Sequence, residues 1–411
     1  MRAFTLLLLS LFLVPAMNMR ASDYSYQECA GSATPYPKHI DPVSVPDSLR
    51  ILAINHVGRH GARYPSSSSS CETLLSALQD AEQLGTLSSA GRQLMALTER
   101  IMEESAGQWG QLDSLGMAEQ REIAARMYVP SYTLFGDSRL TTAVASFKPR
   151  CVMSMYEFLH QISLLASSTQ ITTASGPQTA PLLRFFDTDT DYLHLLDSKV
   201  LDAPLDSMRH LLLPEKPACA VRAVGSGIAS RKVAEAMYAV VSGAGAMEIE
   251  VDPAVWFTPA EYNALWQLRN LKQYLHYSAS SISSVPAQMA APLLADLIAS
   301  TDSAIAGTAP AVQLRFGHAE TMMPLLSLMR IPGAYYITDD FSTVADHWRN
   351  FDLVPMASNL RILIFTSPSG RKYARIDLNE VPRAIMPDSD EIYVEWNQLR
   401  SYLSSLLPDH F

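Results

Sequence analysis

The chain has 411 residues, long enough for one large domain or two. Hydrophobic residues make up 48% and charged residues 18%, which is typical of a folded protein and excludes a disordered chain. The formal net charge of −10 argues against nucleic acid as a partner, because an acidic protein repels a polyanion unless it keeps a local basic pocket.

The N-terminus carries Arg2, a short apolar run over 4–14 and then small residues. This order is typical of a secretory signal peptide, and the run is shorter than the roughly 20 residues that a membrane span needs. We therefore predict a signal peptide at 1–21, cleaved after Ala16 or Ala21, and a periplasmic or secreted protein. No later stretch is apolar enough for stable membrane insertion.

Export permits disulfide bonds, and four cysteines follow the predicted cleavage sites. They are Cys29, Cys71, Cys151 and Cys219. Four cysteines allow three pairings, and the sequence does not choose among them. Cys151 lies within an apolar helical pattern, so we expect it to be a buried free thiol.

Apolar patterns predict strands near both ends of the chain and helices between them. The predicted strands are RILAINHV at 50–57, SRLTTAVAS at 138–146, AVQLRFG at 311–317, LRILIFTS at 360–367 and KYARIDLNE at 372–380. Helices are predicted within 71–85, 86–105, 113–128, 147–165, 258–278, 287–300 and 319–329. The polar stretch SSTQITTASGPQT at 167–179 predicts a loop.

This order of elements predicts an α/β fold. A large α/β domain, with a central mixed sheet flanked by helices, is expected from 22–160 and 306–411. A smaller, mostly α-helical domain at 161–305 is expected to be inserted in it. Because ligands bind at the carboxyl ends of strands in such sheets, His60 and His318 are expected at one sheet edge if their preceding strands are central and parallel.

The segment RHGARYP at 59–65 contains the candidate catalytic and anion-binding residues. Arginine offers a planar fork of donors that matches phosphate oxygens, and Arg59 and Arg63 flank His60. Their charges disfavour the imidazolium and leave a neutral, nucleophilic ring. Gly61 allows close backbone approach or a positive φ, and Pro65 restricts the loop exit. Together these residues favour a phosphate site beside a nucleophile rather than a solvated basic loop.

RHGARYP resembles the signature of the histidine acid phosphatases, branch 2 of the histidine phosphatase superfamily. In that family the histidine is phosphorylated during turnover, and a distant second histidine precedes an acidic proton donor, usually in His-Asp. The matching stretch here is His318-Ala319-Glu320. This His-Ala-Glu variant resembles the multiple inositol polyphosphate phosphatases, which act on phytate. The resemblance covers about 50–385.

The resemblance implies a role for each matching residue. His60 would be the nucleophile, and Glu320 would protonate the leaving oxygen and then activate water. PRCVMSMYEFL resembles the family segment that supplies a third pocket arginine. The residues implied to bind the transferring phosphoryl group are Arg59, Arg63, Arg150 and His318. Taken alone, Arg150, His318 and Glu320 each have an ordinary structural interpretation.

Further contacts and other ligands are predicted from the same sequence. Lys148, Arg184 and Arg139 are candidates for contacting outlying phosphates, and the serine run Ser66–Ser70 is expected to form a flexible loop at the pocket rim. We expect no metal and no cofactor, because there is no cluster with metal-ligand spacing, no Rossmann fingerprint and no P-loop.

Three functions follow, in order of preference. The first is an exported phosphoric monoester hydrolase that acts on phytate and lower myo-inositol phosphates through a phosphohistidine. The second is a broad acid phosphatase for sugar phosphates or nucleotides. The third is an exported protein that binds phosphorylated ligands without hydrolysing them. We expect a small-molecule substrate and a monomer.

Overall fold

The computed structural model describes residues 24–41, 43–136 and 139–408. The predicted signal peptide at 1–21 lies outside these residues. In the described part, 3-10 turns, sixteen α-helices and one eight-stranded sheet are found. The strands are β1 Arg50–Arg59, β2 Leu140–Ala145, β3 Gln170–Ser175, β4 Val312–Gly317, β5 Asn359–Thr366, β6 Lys372–Leu378, β7 Val381–Arg383 and β8 Val394–Glu395.

The helices occupy most of the chain between β2 and β4 and also flank the sheet. They are α1 Ser69–Gln83, α2 Ser89–Ser105, α3 Ser114–Ser131, α4 Pro149–Leu165, α5 Ala180–Leu183, α6 Thr190–Asp197, α7 Asp202–Leu212, α8 Ala218–Val224, α9 Arg231–Ala244, α10 Pro259–Tyr277, α11 Val285–Gln288, α12 Ala291–Ile305, α13 Ala319–Leu328, α14 Val344–His347, α15 Asn350–Leu353 and α16 Trp396–Ser405.

The sheet is mixed, which confirms the predicted fold class. Its order is β3-β2-β4-β1-β5-β6-β7, and β8 pairs with β6. The strands β3, β2, β4 and β1 are parallel, whereas β5, β6 and β7 pair antiparallel. Helices α3 and α4 pack together, and α4 packs on β2 and β4. Helices α12 and α13 pack on β1, and α16 packs on β6. β1 and β4 are therefore central, parallel neighbours, which meets the condition under which His60 and His318 are expected at one sheet edge.

The stretch 167–179 was predicted to be a loop, and this is wrong for Gln170–Ser175. These residues form β3 at the edge of the sheet and pair in parallel with β2. Most of their side chains are exposed. An exposed edge strand can be polar on both faces, so no alternation of apolar and polar residues indicates it in the sequence. The helix predicted over 287–300 is divided into α11 and α12, with Pro292 in the first turn of α12.

A further group of helices packs together as a layer. Within it α1 packs on α8 and α9, α2 packs on both, and α10 contacts α7, α9, α13 and α14. Two helices of this layer therefore come from chain that precedes β2. The division into domains at 160/161 and 305/306 stays a prediction.

All four cysteines are buried and none is in a disulfide bond. The expectation that Cys151 is a buried free thiol is confirmed: its Sγ lies 3.1 Å from the carbonyl oxygen of Gly317, which accepts its hydrogen bond. None of the helices in the described residues is both long and apolar enough to cross a bilayer.

Candidate active site

The two histidines of the predicted site lie at the carboxyl edge of the sheet. Arg59, the last residue of β1, pairs with Gly317, the last residue of β4. The backbone N–H of His60 donates to the carbonyl of Gly317 at 3.1 Å. His318 follows directly, and the ring centroids of His60 and His318 are 5.7 Å apart. The parallel register of β1 and β4 thus brings together residues that lie 258 positions apart.

The loop after β1 is held tightly against helix α3. A Cβ atom on Gly61 would lie 2.4 Å from the carbonyl oxygen of Gly116, so close approach, not positive φ, requires glycine here. The buried carboxylate of Glu119 accepts hydrogen bonds from the backbone N–H groups of Ala62 and Tyr36, both at 2.7 Å. These contacts fix the backbone that carries the catalytic candidates.

His60 is buried and presents one ring nitrogen to the site. Its Nδ1 donates to the carbonyl of Gly61 at 2.9 Å, which places the proton on Nδ1 and the lone pair on Nε2. Burial lowers the pKa of His60 well below its ordinary 6.5, and the charges of Arg59, Arg63 and Arg150 lower it further. The ring is therefore neutral, which is the form that attacks phosphorus.

The depressed pKa of His60 predicts the pH behaviour of the site. A histidine with a lowered pKa stays neutral in the folded state where a free histidine is already protonated. We expect kcat/KM to show no loss with a midpoint near 6.5 as the pH falls. NMR titration of the His60 ring nitrogens, against those of exposed His160, checks this, and a His60 midpoint at 6.5 would contradict it.

The charges of three arginines, Arg59, Arg63 and Arg150, act on the His60 ring. The Nη1 of Arg59 donates to the carbonyls of Ser32 and Val354, both at 2.6 Å, which fixes the guanidinium. Burial lowers the pKa of Arg59 to about 10 and that of Arg63 to about 9, and the charge of Arg150 adds to both effects. The Nε atoms of all three arginines are buried and have no acceptor among the described residues. This concentration of donors and positive charge suits an oxyanion.

Guanidinium groups face both nitrogens of His318. Its Nδ1 lies 3.3 Å from Nη2 of Arg150, and its Nε2 lies 2.8 Å from both Nη1 of Arg184 and Oγ of Ser146. Burial lowers the pKa of His318 well below 6.5, and these two arginines lower it further. A neutral imidazole accepts a hydrogen bond at only one of its two nitrogens. One of the two arginines therefore has an N–H group that His318 does not accept and that can donate to a ligand.

Arg184 contacts His318 directly, with its Nη1 2.8 Å from Nε2, and the contact with an outlying phosphate that the sequence analysis expected of it stays a prediction. Besides contacting His318, it forms an ion pair with Asp187, with Nε 2.8 Å from the carboxylate. Its guanidinium packs over the rings of Phe147 and Phe186, at 5.2 and 4.9 Å from their centroids. Its link to the histidine depends on the chain path after β3, which no local pattern indicated.

The other two candidates for outer contacts differ in position. Lys148 directly precedes α4, two residues before Arg150, and its Nζ lies 5.3 Å from the ring centroid of Phe147. It is near the catalytic edge of the sheet. Arg139 precedes β2 at the opposite end from Ser146, and the six-residue strand separates the two ends by about 20 Å. The structure does not bring Arg139 to the site.

The first turn of α13 explains why the acid stands at 320. Ala319 begins the helix and is buried in the apolar core, where a carboxylate would be desolvated. One residue later the helix has turned by about 100°, and Glu320 is half-buried and lines an open cleft. The charge of Glu320 also acts on Arg59 and Arg63. The acid therefore reaches the site from the second helical position.

The cleft that Glu320 lines has a volume of about 590 Å³ and is bounded by α1, α7, α9 and α10. Sequence reasoning missed the cations that α10 contributes. Arg269 and Lys272 are exposed on this wall, and neither has an ion pair within the described residues. With Gln273 and His276 they follow the i, i+3, i+4, i+7 spacing of one helix face, a signal that was available in the sequence.

A smaller cavity of about 180 Å³ adjoins this cleft. Arg63 and Arg269 line it together, and Arg269 lines both cavities. Ser66, Ser67 and Ser70 also line it. The serine run is therefore at the pocket rim, as expected, but it is not wholly a loop, because α1 begins at Ser69.

Comparison with known proteins identifies the fold. No protein-family model matches the chain, and no curated protein matches it in sequence. Among solved structures, the Bifidobacterium longum multiple inositol polyphosphate phosphatase in complex with inositol hexasulfate is similar, with 18% identity and a TM-score of 0.74 over 92% of this chain and 97% of that one.

The same B. longum protein in complex with phosphate gives 16% identity, a TM-score of 0.74 and coverage of 92% and 98%. The phytase from D. castellii gives 14% identity and a TM-score of 0.71 over 96% of this chain and 89% of that one. The chain therefore has the fold of a multiple inositol polyphosphate phosphatase and of a phytase, which confirms the fold that its resemblance to the histidine acid phosphatases implies.

Proposed function

We propose that this protein is a phosphoric monoester hydrolase that removes phosphates from phytate and lower myo-inositol phosphates. The observation that carries the proposal is the neutral ring of His60 under the charges of Arg59, Arg63 and Arg150, with Nε2 in no hydrogen bond among the described residues. The shared fold with proteins named as inositol polyphosphate phosphatase and phytase supports the substrate class.

The first chemical step transfers the phosphoryl group to the enzyme. The lone pair of His60 Nε2 attacks phosphorus while the bond to the ester oxygen breaks, and Glu320 donates its proton to the leaving alkoxide. The arginines and His318 hold the equatorial oxygens, whose charge they stabilise. The products of this step are the free alcohol and a phosphohistidine.

The second step releases inorganic phosphate. Glu320, now a carboxylate, takes a proton from water, and the water oxygen attacks phosphorus as the N–P bond breaks. His60 regains its lone pair and Glu320 its proton, so the site returns to its initial state. No oxidant, reductant or further reactant is required.

The cationic wall of the cleft favours a polyphosphorylated substrate over a small phosphomonoester. Arg269 and Lys272 have no carboxylate partner among the described residues, so they are available to phosphates other than the one being transferred. A sugar phosphate with one phosphate group would not use them. This favours the inositol polyphosphate function over a broad acid phosphatase.

The double variant Arg269→Ala/Lys272→Ala tests the substrate class. We expect KM for phytate to rise by about 10-fold or more, because each lost contact to phosphate contributes about 1 kcal/mol. The kinetics on a small phosphomonoester are expected to stay within about 2-fold. Steady-state rates of phosphate release on both substrates measure the effect, and separation of inositol phosphate isomers over time gives the order of removal.

Lys216→Ala is the matched control, since Lys216 is exposed and lines neither of the two cavities. Equal losses on both substrates in the double variant would favour the broad acid phosphatase. Tight phytate binding by the wild-type protein without phosphate release would favour the third function, an exported protein that binds phosphorylated ligands without hydrolysing them.

We also propose that residues 1–21 direct export. The apolar run over 4–14 supports this proposal. Expression of the full chain in a bacterial host, followed by fractionation and N-terminal sequencing, is expected to give a mature protein beginning at Met17 or Ser22. An uncleaved N-terminus in the cytoplasmic fraction would contradict it.

A further inference from the structure

The two edges of the sheet differ in how they are protected. A sheet edge exposes unpaired backbone N–H and C=O groups that a further strand can bind, and proteins commonly prevent this with proline, charge or a very short edge strand. The edge at β7 is protected in this way, because Val381–Arg383 has three residues, with Pro382 in its centre. At the other edge, β3 pairs with β2 on one side only.

The free edge of β3 lacks these protections. The stretch 166–179, which contains β3, has no charged residue, and its one proline, Pro177, follows the strand. From Thr172 to Ser175 every side chain is exposed, so no other part of the described chain covers this edge. The protein therefore presents an open, uncharged strand of six residues, about 20 Å long.

The pairing with β2 decides which backbone groups of β3 face outward. The N–H of Gln170 donates at 3.0 Å to the carbonyl of the residue that precedes β2, so Gln170 faces β2. Successive residues of a strand direct their backbone groups to opposite sides, so the odd-numbered residues face the free edge. The carbonyl of Ser175 accepts a hydrogen bond from Nε2 of Gln178 at 3.1 Å. The open groups are therefore those of Ile171 and Thr173.

Helix α4 adds an exposed apolar flank beside this edge. It leads from β2 to β3 and packs on β2 and β4. Its Glu157 pairs with Arg121 of α3, which places α3 against that flank of the helix. Val152 and Tyr156 lie about 100–140° around the helix from Glu157, on the flank towards β3, where Val152 packs in the same apolar cluster as Ile171. Tyr156 is 51% exposed, so this flank holds a large aromatic side chain in solvent.

The outward side of α4 has no carboxylate, ammonium or guanidinium group. Its residues are Val152, Met153, Tyr156, His160, Ser163 and Leu164. The whole chain has a formal net charge of −10, so two copies repel each other over much of their surface. The free edge of β3 and the flank of α4 beside it therefore form a surface where two copies can approach without opposing like charges.

We propose that the free edge of β3 pairs antiparallel with the same edge of a second copy, which gives a dimer in place of the monomer that the sequence analysis expects. A twofold axis perpendicular to the sheet makes the edge self-complementary. With the axis at Thr172, Ile171 of each copy exchanges two hydrogen bonds with Thr173 of the other, and the two Thr172 side chains are opposite each other. The two sheets become one continuous sheet, with α4 of both copies on the same face.

The surface is large enough for a specific dimer. The 17 residues of α4 span about 25 Å, and the helix and sheet layers together are about 25 Å high. The contact therefore buries about 600 Å² on each copy, which is the lower limit for specific interfaces. We expect a Kd on the order of micromolar. A strand from a different protein is the competing occupant, and it would leave the purified chain monomeric.

The variant Thr172→Cys tests the pairing and its register together. Opposite residues that share no hydrogen bond in an antiparallel pair have Cα atoms about 4.5 Å apart, within the range of a disulfide bond. We expect mild oxidation to convert most of the purified variant into a disulfide-linked dimer on a non-reducing gel. The four native cysteines are buried and should not compete. Ser405→Cys is the matched control, because Ser405 is exposed at the end of α16, which packs on β6, and should remain mostly monomeric.

Analytical ultracentrifugation measures the dimer without a cross-link. We expect the wild-type protein to sediment mainly as a dimer at about 20 μM. Thr172→Lys places two like charges opposite each other and should raise Kd by about 10- to 100-fold, whereas Ser405→Lys should not change it. Thr173→Pro should raise Kd similarly, because it removes an N–H that faces the free edge and leaves the bonds to β2 in place.

These measurements report mass and cross-linking, so their outcome does not depend on the proposed phosphatase function. Wild-type protein that stays monomeric up to about 100 μM overturns the proposal. A dimer whose Kd is the same in Thr172→Lys and Thr173→Pro as in the wild type also overturns it, since that dimer uses another surface. So does a Thr172→Cys variant that cross-links no more than Ser405→Cys.

Discussion

Replacement of His60 by alanine is expected to reduce phosphate release from phytate by about ten-thousand-fold or more. The nucleophile would be lost, and no described group is placed to substitute for Nε2, which is free while Nδ1 donates to Gly61. The measurement is the rate of inorganic phosphate release by the purified variant at saturating phytate. Phytate binding is expected to persist, because Arg63 and Arg150 remain.

A trapping experiment distinguishes loss of the nucleophile from misfolding. Wild-type protein is mixed with a substrate that is radiolabelled in its phosphate groups, and the reaction is quenched in base. We expect a base-stable, acid-labile labelled adduct, which His60→Ala lacks. His160→Ala, at an exposed position on α4, is the matched control and should keep both activity and adduct. An adduct that survives in the His60 variant would show that another residue is the nucleophile.

The second large effect is expected for Glu320→Gln. The amide cannot donate a proton as the acid does, so kcat/KM on phytate, which reports the first step, should fall by about 100- to 10,000-fold. The kcat/KM of an aryl ester such as p-nitrophenyl phosphate should fall much less, because its leaving group departs without a proton. The kcat should fall on both substrates, because Glu320 also activates water in the second step, which they share. Steady-state kinetics on the two substrates measure both parameters.

A double variant that moves the carboxylate from position 320 to position 319 is the control for proton donation by Glu320. In Ala319→Asp/Glu320→Gln the new carboxylate would be in the apolar core, since Ala319 is 5% exposed, so activity is not expected to return. The double variant should also unfold at a lower temperature. Equal losses of kcat/KM on both ester types in Glu320→Gln, or recovery in the double variant, would contradict proton donation by Glu320.

Local patterns were sufficient for much of the fold. RILAINHV and AVQLRFG are short apolar runs that predict buried strands, and both form strands. Thr258, Pro259 and Glu261 form the start of α10 with a full capping box. The polar edge strand β3 escaped detection, because both its faces are largely exposed and its pairing with β2 is a long-range interaction.

The sequence by itself determined which residues the candidate site is built from, because RHGARYP concentrates a histidine between two arginines within five residues and His-Ala-Glu follows a second strand. Only the tertiary structure decided which distant cations accompany them. It brought Arg184 to His318, placed Arg269 and Lys272 on the cleft wall and left Arg139 at the far end of β2. The spacing of Arg269 and Lys272 indicates that they share a helix face, but it does not indicate which cavity that face lines. That depends on the packing of α10, and the meeting of His60 and His318 depends on the register of parallel strands, and contacts between residues far apart in the chain set both.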